Sequence, residues 1–195
     1  MKLVIASVLV FSAALACAED RMFETRVDTV DVQLFIPEEA KPVRGILVHM
    51  FNYEMKTHDR NAALCRELGW AHLNTVISVK ENNRPVKIRA AIAKSLEQFA
   101  KESGNPELLT APRAGTGFSA GGMVIQVLET RPELLLTNAV SCSWVRDSTA
   151  MPAAAAAVPH LFLIGAKPDG FKMLPAIEKF YDPALTAKLP WGLGL

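Results

Sequence analysis

The residues Gly117-Phe118-Ser119-Ala120-Gly121 form a G-x-S-x-G motif. This spacing is typical of a serine at a tight turn between a strand and a helix, where a strained backbone projects the hydroxyl above a sheet. Glycine is needed two residues before and two residues after the serine, because side chains there would clash with each other and with neighbouring strands. The backbone N–H of Ala120 would point toward the same space and can stabilise a developing oxyanion. The motif therefore predicts Ser119 as the nucleophile of an acyl transfer reaction.

Two other interpretations use the same residues. The run Gly115-Thr116-Gly117-Phe118-Ser119-Ala120 also fits the G-x-G-x-x-A fingerprint of dinucleotide-binding oxidoreductases. That fingerprint normally follows the first strand of its fold, and an acidic residue ends the next strand about 20 residues later. Here at least three predicted strands precede the fingerprint. The next strand ends Ser141-Cys142-Ser143, which contains no acidic residue. The oxidoreductase using Gly115 and Gly117 is therefore a remote alternative, and a serine that only caps a helix is a structural one.

The elements that must position these residues alternate between strands and helices. Apolar residues at 30, 32, 34 and 36 predict a half-buried strand, and residues 22–27 predict its antiparallel neighbour. Further strands are predicted at 45–49, 70–79, 113–117, 135–142 and 160–165, and helices at 59–68, 85–103, 119–130 and 171–181. This order predicts an α/β fold: a mostly parallel sheet with helices on both faces and antiparallel N-terminal edge strands. Its chemistry belongs at the carboxyl ends of the strands.

Residues 1–18 have the pattern of a secretory signal peptide. Lys2 precedes the apolar run from Leu3 to Leu15, and Ala16-Cys17-Ala18 offers a cleavage site. The run is shorter than the roughly 20 apolar residues of a transmembrane helix. The sequence thus predicts an exported protein, periplasmic or secreted, in which residues 19–195 form one domain.

The composition narrows the function further. Of 195 residues, half are hydrophobic, and 21 basic side chains nearly balance 20 acidic ones. This balance argues against a nucleic-acid surface and against a polybasic membrane patch. The sequence shows no metal-ligand spacing and no phosphate-binding loop, which favours chemistry without a cofactor. Cys65 and Cys142 are predicted to be buried thiols.

The serine turn and its surroundings resemble the α/β-hydrolase superfamily, in particular its small exported serine esterases. The likeness runs from Pro106-Glu107-Leu108 through the serine motif to Arg131-Pro132-Glu133. The strand at 45–49 resembles the strand that leads to the oxyanion loop. The resemblance implies hydrolysis of small carboxylic esters through an acyl-enzyme at Ser119, without a cofactor.

The resemblance also implies two donors for the oxyanion. The N–H of Ala120 would be one, and the loop after His49 would supply the other. That loop reads His49-Met50-Phe51, whereas the family usually has His-Gly there, so the donor is the N–H of Phe51 or of Met50.

The acid of the implied catalytic triad should follow a late strand. Asp169, after Gly165-Ala166-Lys167-Pro168, is the first candidate, and Asp147 is the alternative. Either aspartate could instead belong to an ordinary turn, bonding its own backbone.

The base is the departure from the family pattern, in which a histidine follows the acid. No histidine follows Asp169; the four histidines are His49, His58, His72 and His160. Residues 189–195 are predicted to be an apolar tail without a closing strand and helix, so the first interpretation is a hydrolase domain incomplete at its C-terminus. A non-catalytic ligand-binding relative is the second, and His58 as a displaced base is the third. We therefore expect this chain to hydrolyse esters slowly, since loss of a triad member costs about 10⁴ to 10⁶ in rate.

Overall fold

A mixed β-sheet forms the centre of the protein in a computed structural model that describes residues 19–51, 60–76, 84–141, 151–164 and 174–194. Its strands are β1 Arg21–Val27, β2 Val30–Ile36, β3 Ile46–Phe51, β4 Ala71–Val76, β5 Arg113–Phe118, β6 Leu135–Ser141, β7 His160–Leu163 and β8 Trp191–Gly194. Within the described residues the strand order is β1-β2-β4-β3-β5-β6-β7-β8. The predicted signal peptide, residues 1–18, lies outside these ranges and stays a prediction.

The direction of the strands agrees with the sequence analysis. β1 and β2 pair in antiparallel fashion, with Arg21 opposite Ile36, and β2 is also antiparallel to β4. All the other neighbours pair in parallel. The prediction of a mostly parallel sheet with an antiparallel N-terminal edge is therefore confirmed.

Helices pack on both faces of this sheet. They are α1 Arg60–Leu68, α2 Arg84–Ser103, α3 Val124–Leu128, α4 Ala153–Ala156 and α5 Leu174–Thr186, with 3-10 turns at Pro106–Leu109, Ser119–Met123 and Pro132–Leu134. The predicted apolar stripe of α2 is buried against the sheet; it consists of Ile88, Ile92, Leu96 and Phe99. Because a helix with one apolar stripe must cover it, α2 and α3 form the larger core with β2, β3 and β5.

The opposite face holds α1 and a smaller core. Phe35 of β2 packs on Ala62, and Leu47 of β3 packs on Cys65. β2 is thus covered on both faces and is more buried than the half-buried strand predicted from its alternation. Cys65 is buried, as expected, whereas Cys142 lies outside the described residues.

The prediction for the C-terminal tail is wrong. Residues 191–194 form β8, which pairs in parallel with β7 from His160 opposite Trp191 to Leu163 opposite Gly194. The Trp191 ring packs edge-on against the His160 ring at 4.8 Å, and its Nε1–H donates to the Ala156 carbonyl at 2.8 Å. These tertiary contacts stabilise β8. The strand could not be predicted from the sequence because Gly192 and Gly194 have low strand propensity.

Two smaller differences concern helices. The alanine run between prolines, predicted as a spacer, forms the short helix α4. The last helix, predicted to end at Tyr181, continues to Thr186. No helix in the described part of the chain is long and apolar enough to cross a membrane.

Candidate active site

The backbone of Ser119 is the most unusual feature at the carboxyl edge of the sheet. β5 ends at Phe118, and the 3-10 turn Ser119–Met123 begins at the next residue and continues into α3. Ser119 has a φ of +54°. Among the described non-glycine residues only Asp28 and Lys188 share a positive φ. Side chains rarely occupy this left-handed region unless the surrounding structure imposes it, so the turn is strained in the way the motif predicts.

The two flanking glycines allow this turn to close. A Cβ on Gly117 would overlap the backbone carbonyl of Gly121. A Cβ on Gly121 would in turn overlap the carbonyl oxygen of Met50 at the end of β3. Since backbone atoms cannot yield as a flexible side chain does, both positions require glycine. The serine itself is partly exposed rather than enclosed in the core.

The same close approach brings the two segments predicted to bind an oxyanion together. Met50 pairs with Gly117 across the β3–β5 ladder, and Phe51 is the last residue of β3. Ala120 is the second residue of the 3-10 turn that leads into α3. Phe51 and Ala120 therefore lie on adjacent segments at one edge of the sheet, beside Ser119. Backbone N–H groups at the start of a helical segment carry a partial positive charge, which suits an anion.

Gly115 has a structural explanation that does not involve a nucleotide. It lies inside β5, and a Cβ there would overlap the side-chain oxygen of Asn138 on β6. Asn138 is fully buried and its Nδ2 lies 3.3 Å from Nδ1 of His160. The glycine thus leaves room for a buried amide between strands. Sequence reasoning missed Asn138, because its partners lie 22 residues or more away along the chain.

Three of the four histidines are described, and each occupies a packed position. His160 starts β7, its Nε2–H donates to the Ala155 carbonyl at 3.1 Å, and its Nδ1 accepts from the Asn138 amide at 3.3 Å. Burial lowers the pKa of His160, and the hydrogen bond to Ala155 offsets part of that effect. His72 is the second residue of β4 and fully buried. Both lie at the amino ends of their strands, as predicted, and so at the opposite edge from Ser119.

His49 lies closer to the serine turn but faces α1. Its side chain is buried, its Nδ1 is 3.3 Å from Nδ2 of Asn61 on α1, and its ring stacks on His72 with 5.7 Å between centroids. Because Met50 and Phe51 follow directly, this contact ties the end of β3 to α1. His49 thus supports the segment predicted to supply an oxyanion donor.

The remaining predicted site residues lie outside the described residues. They are the acid candidates Asp169 and Asp147 and the displaced base candidate His58. No group of three or more His, Cys, Asp or Glu side chains within the described ranges is arranged to hold a metal ion.

Comparisons with known proteins bear on this arrangement. No protein-family model and no curated protein sequence matches the chain. Solved structures do match. A dienelactone hydrolase from Anabaena variabilis is 17% identical with a TM-score of 0.56, over 90% of this chain and 84% of that one. A bacterial heroin esterase is 15% identical with a TM-score of 0.58, over 90% of this chain and 74% of that one. A thermostable esterase from Pseudomonas putida is 14% identical with a TM-score of 0.56, over 90% and 72%.

This protein has an α/β-hydrolase fold. In an α/β-hydrolase the exposed serine of a G-x-S-x-G turn sits at the top of the sheet between a strand and a helix. Ser119 occupies that place at the carboxyl end of β5, which lies between β3 and β6 in this sheet.

Two further residues border the serine turn. Phe118 is 45% exposed beside Ser119, and it pairs with Ser141 at the end of β6. The position of Ser141 beside the serine turn could have been predicted from the pairing of β5 with β6. The exposure of Phe118 could not, because it depends on which distant segments pack around it.

Proposed function

We propose that the protein is a serine-dependent hydrolase of carboxylic esters. The observation that supports this most is the left-handed backbone of Ser119, φ +54°, at the carboxyl end of β5. An ordinary helix start needs no such strain, because a capping serine has extended backbone angles. Strain of this kind persists where the surroundings impose it, and it clusters at functional sites.

The proposed chemistry is acyl transfer in two steps. The Ser119 oxygen attacks the ester carbonyl carbon, and the carbonyl oxygen becomes an oxyanion facing the N–H groups of Ala120 and Phe51. The carbon–oxygen bond to the alcohol then breaks, and the proton lost by the serine leaves with that alcohol. Water attacks the acyl carbon in the second step, the bond to the Ser119 oxygen breaks, the acid is released, and a proton from the water returns to the serine. Asp169 or Asp147 would orient the base in this scheme, and His58 is the base candidate.

The substrate class follows from the structural neighbours. The matched proteins are named as a dienelactone hydrolase and esterases, one of them a heroin esterase. These names refer to small molecules with an ester bond. We infer that this protein also acts on small-molecule esters, with no metal or organic cofactor taking part. The signal-peptide pattern at residues 1–18 places this activity outside the cytoplasm in our proposal.

The experiment that tests the proposal is detection of the acyl-enzyme. The full chain is mixed with p-nitrophenyl butyrate, quenched in acid, and analysed by intact-protein and peptide mass spectrometry. We expect a butyryl group on the peptide that contains Ser119. The Ser119→Ala variant should carry none, whereas Ser141→Ala, which removes the neighbouring hydroxyl on β6, should be acylated like the wild type.

This readout does not depend on a high turnover rate. A chain that deacylates slowly accumulates the adduct, so slow hydrolysis and absent chemistry give different results. Absence of the adduct in the wild type, at ester concentrations that acylate a control esterase, would favour the non-catalytic ligand-binding interpretation. An adduct on another residue would remove Ser119 from the proposal.

A further inference from the structure

A cavity lies at the edge of the sheet opposite the serine turn. It has a volume of about 440 Å³ and is bordered by α2, by the turn Pro106–Leu109 and by the end of α3. Arg113, the first residue of β5, lines it, whereas Ser119 follows the last residue of that strand. At about 3.3 Å per residue the two ends of β5 are roughly 16 Å apart. The cavity is therefore separate from the candidate active site.

One part of the cavity wall is apolar. Ile92 and Leu96 of α2 and Val127 of α3 are buried side chains that line it. Leu109 also lines it and is 40% exposed. Small-molecule sites in proteins combine a mostly apolar lining with a few polar groups, and they typically have volumes of about 300–1,000 Å³.

The other part of the wall is cationic. Arg89, Arg113 and Arg131 line the cavity, and Glu97 is the one acid among its lining residues. Arg131 already pairs with Glu133, and Nη2 of Arg89 donates to the Gln126 carbonyl at 2.9 Å. Arg113 keeps its charge in a half-buried position.

Arg113 is the group that most needs a partner. Its Nε is buried and finds no hydrogen-bond acceptor within the described residues, and the same holds for Nε of Arg89. Burial and the nearby Arg131 lower the pKa of Arg113, while Glu133 acts in the opposite direction. A buried guanidinium N–H without an acceptor costs free energy, and a carboxylate bound at the remaining N–H groups of Arg113 would offset the cost of keeping this charge partly desolvated.

We propose that this cavity binds a small carboxylate with an apolar body, such as a medium-chain aliphatic acid. The apolar tail packs on Ile92, Leu96 and Leu109, and the carboxylate accepts hydrogen bonds from Arg113. A planar guanidinium matches a carboxylate in a two-bond arrangement. Glu97 at the rim disfavours dianions such as phosphate monoesters. The site is independent of the proposed ester hydrolysis, since none of its residues belongs to the serine turn.

Octanoate is the probe, and the backbone amides of the ¹⁵N-labelled full chain report where it binds. We expect saturable chemical-shift changes around Ala93 on α2 and in residues 106–109, with residues 117–123 unchanged. 1-Octanol, which has the same tail without the charge, should bind at least tenfold more weakly. Ser119→Ala should bind octanoate with an unchanged Kd, which separates this site from the candidate active site.

Variants test each part of the wall. Arg113→Met keeps the length of the side chain and removes its donors, so the Kd for octanoate should rise about tenfold or more. Leu109→Ser and Ala93→Trp alter exposed positions at the mouth of the cavity, and both should weaken binding without disturbing the core. Arg26→Met is the matched control, because Arg26 is an exposed arginine on β1.

Three results would overturn the proposal. The first is a set of shifts confined to residues 117–123, which would place octanoate at the serine turn. The second is equal binding of octanol and octanoate, which would leave the arginines without a role. The third is an Arg26→Met variant that weakens binding as much as Arg113→Met does.

Discussion

Replacing Ser119 by glycine and, separately, by alanine distinguishes the strain in the serine turn from the loss of its hydroxyl. At a φ of +54° a residue with a Cβ costs about 1–2 kcal/mol relative to one in the ordinary region. Glycine removes that cost but loses more conformational freedom on folding, which offsets about 0.5–1 kcal/mol. Ser119→Gly is therefore expected to have a free energy of unfolding about 0.5–1 kcal/mol above that of Ser119→Ala.

Urea unfolding of the two variants measures this difference. With a slope of about 2 kcal/mol per molar urea, the midpoint of Ser119→Gly should lie roughly 0.3–0.5 M above that of Ser119→Ala. Lys188 is the control, because its φ of +56° occurs in a turn away from the candidate site. Lys188→Gly should exceed Lys188→Ala by a similar amount. If the Lys188 pair shows the difference and the Ser119 pair does not, the strained serine turn is refuted.

The remaining predictions concern packing and pH. Gly117→Ala should lower the free energy of unfolding by about 2 kcal/mol or more, since its methyl group would overlap a backbone carbonyl. Gly192→Ala is the control and should change the free energy of unfolding little, because its methyl group would meet only the end of the Leu161 side chain at 3.3 Å. Trp191→Ala should lower the free energy of unfolding by about 3 kcal/mol in the same urea assay. A negligible decrease would contradict the packing of β8 through Trp191. His160 has a folded pKa below its ordinary value of 6.5, so the unfolded chain binds more protons between the two values. Its contribution to stability should be present above about pH 6.5 and be lost as the pH falls through the folded pKa, and His160→Gln should show a smaller decrease over that interval.

The sequence was sufficient for the serine turn and most strands because those signals are local. The turn at Ser119 requires residues without a side chain at positions 117 and 121, and the glycine spacing shows this directly in the sequence. In the structure a backbone carbonyl lies against each of the two glycines. The stripe of α2 was equally readable, since its period of 3.6 residues is a property of the helix alone.

The features that could not be predicted depend on contacts between distant segments. β8 contains two glycines in four residues, and its main support is the packing of Trp191 on His160, 31 residues earlier in the chain. The need for glycine at 115 comes from Asn138 on the next strand. The arginines that line the cavity come from α2, from β5 and from the segment after α3, so no single stretch of sequence indicates it.

Labelling by a fluorophosphonate tests the central claim, an activated nucleophile at Ser119, most directly. Such a probe reacts with a serine hydroxyl only when its surroundings make it nucleophilic, and peptide mass spectrometry identifies the modified residue. We predict one adduct per chain on Ser119, its loss in Ser119→Ala, and normal labelling of Ser141→Ala. An unlabelled wild-type chain, or an adduct that persists in Ser119→Ala, would contradict the claim.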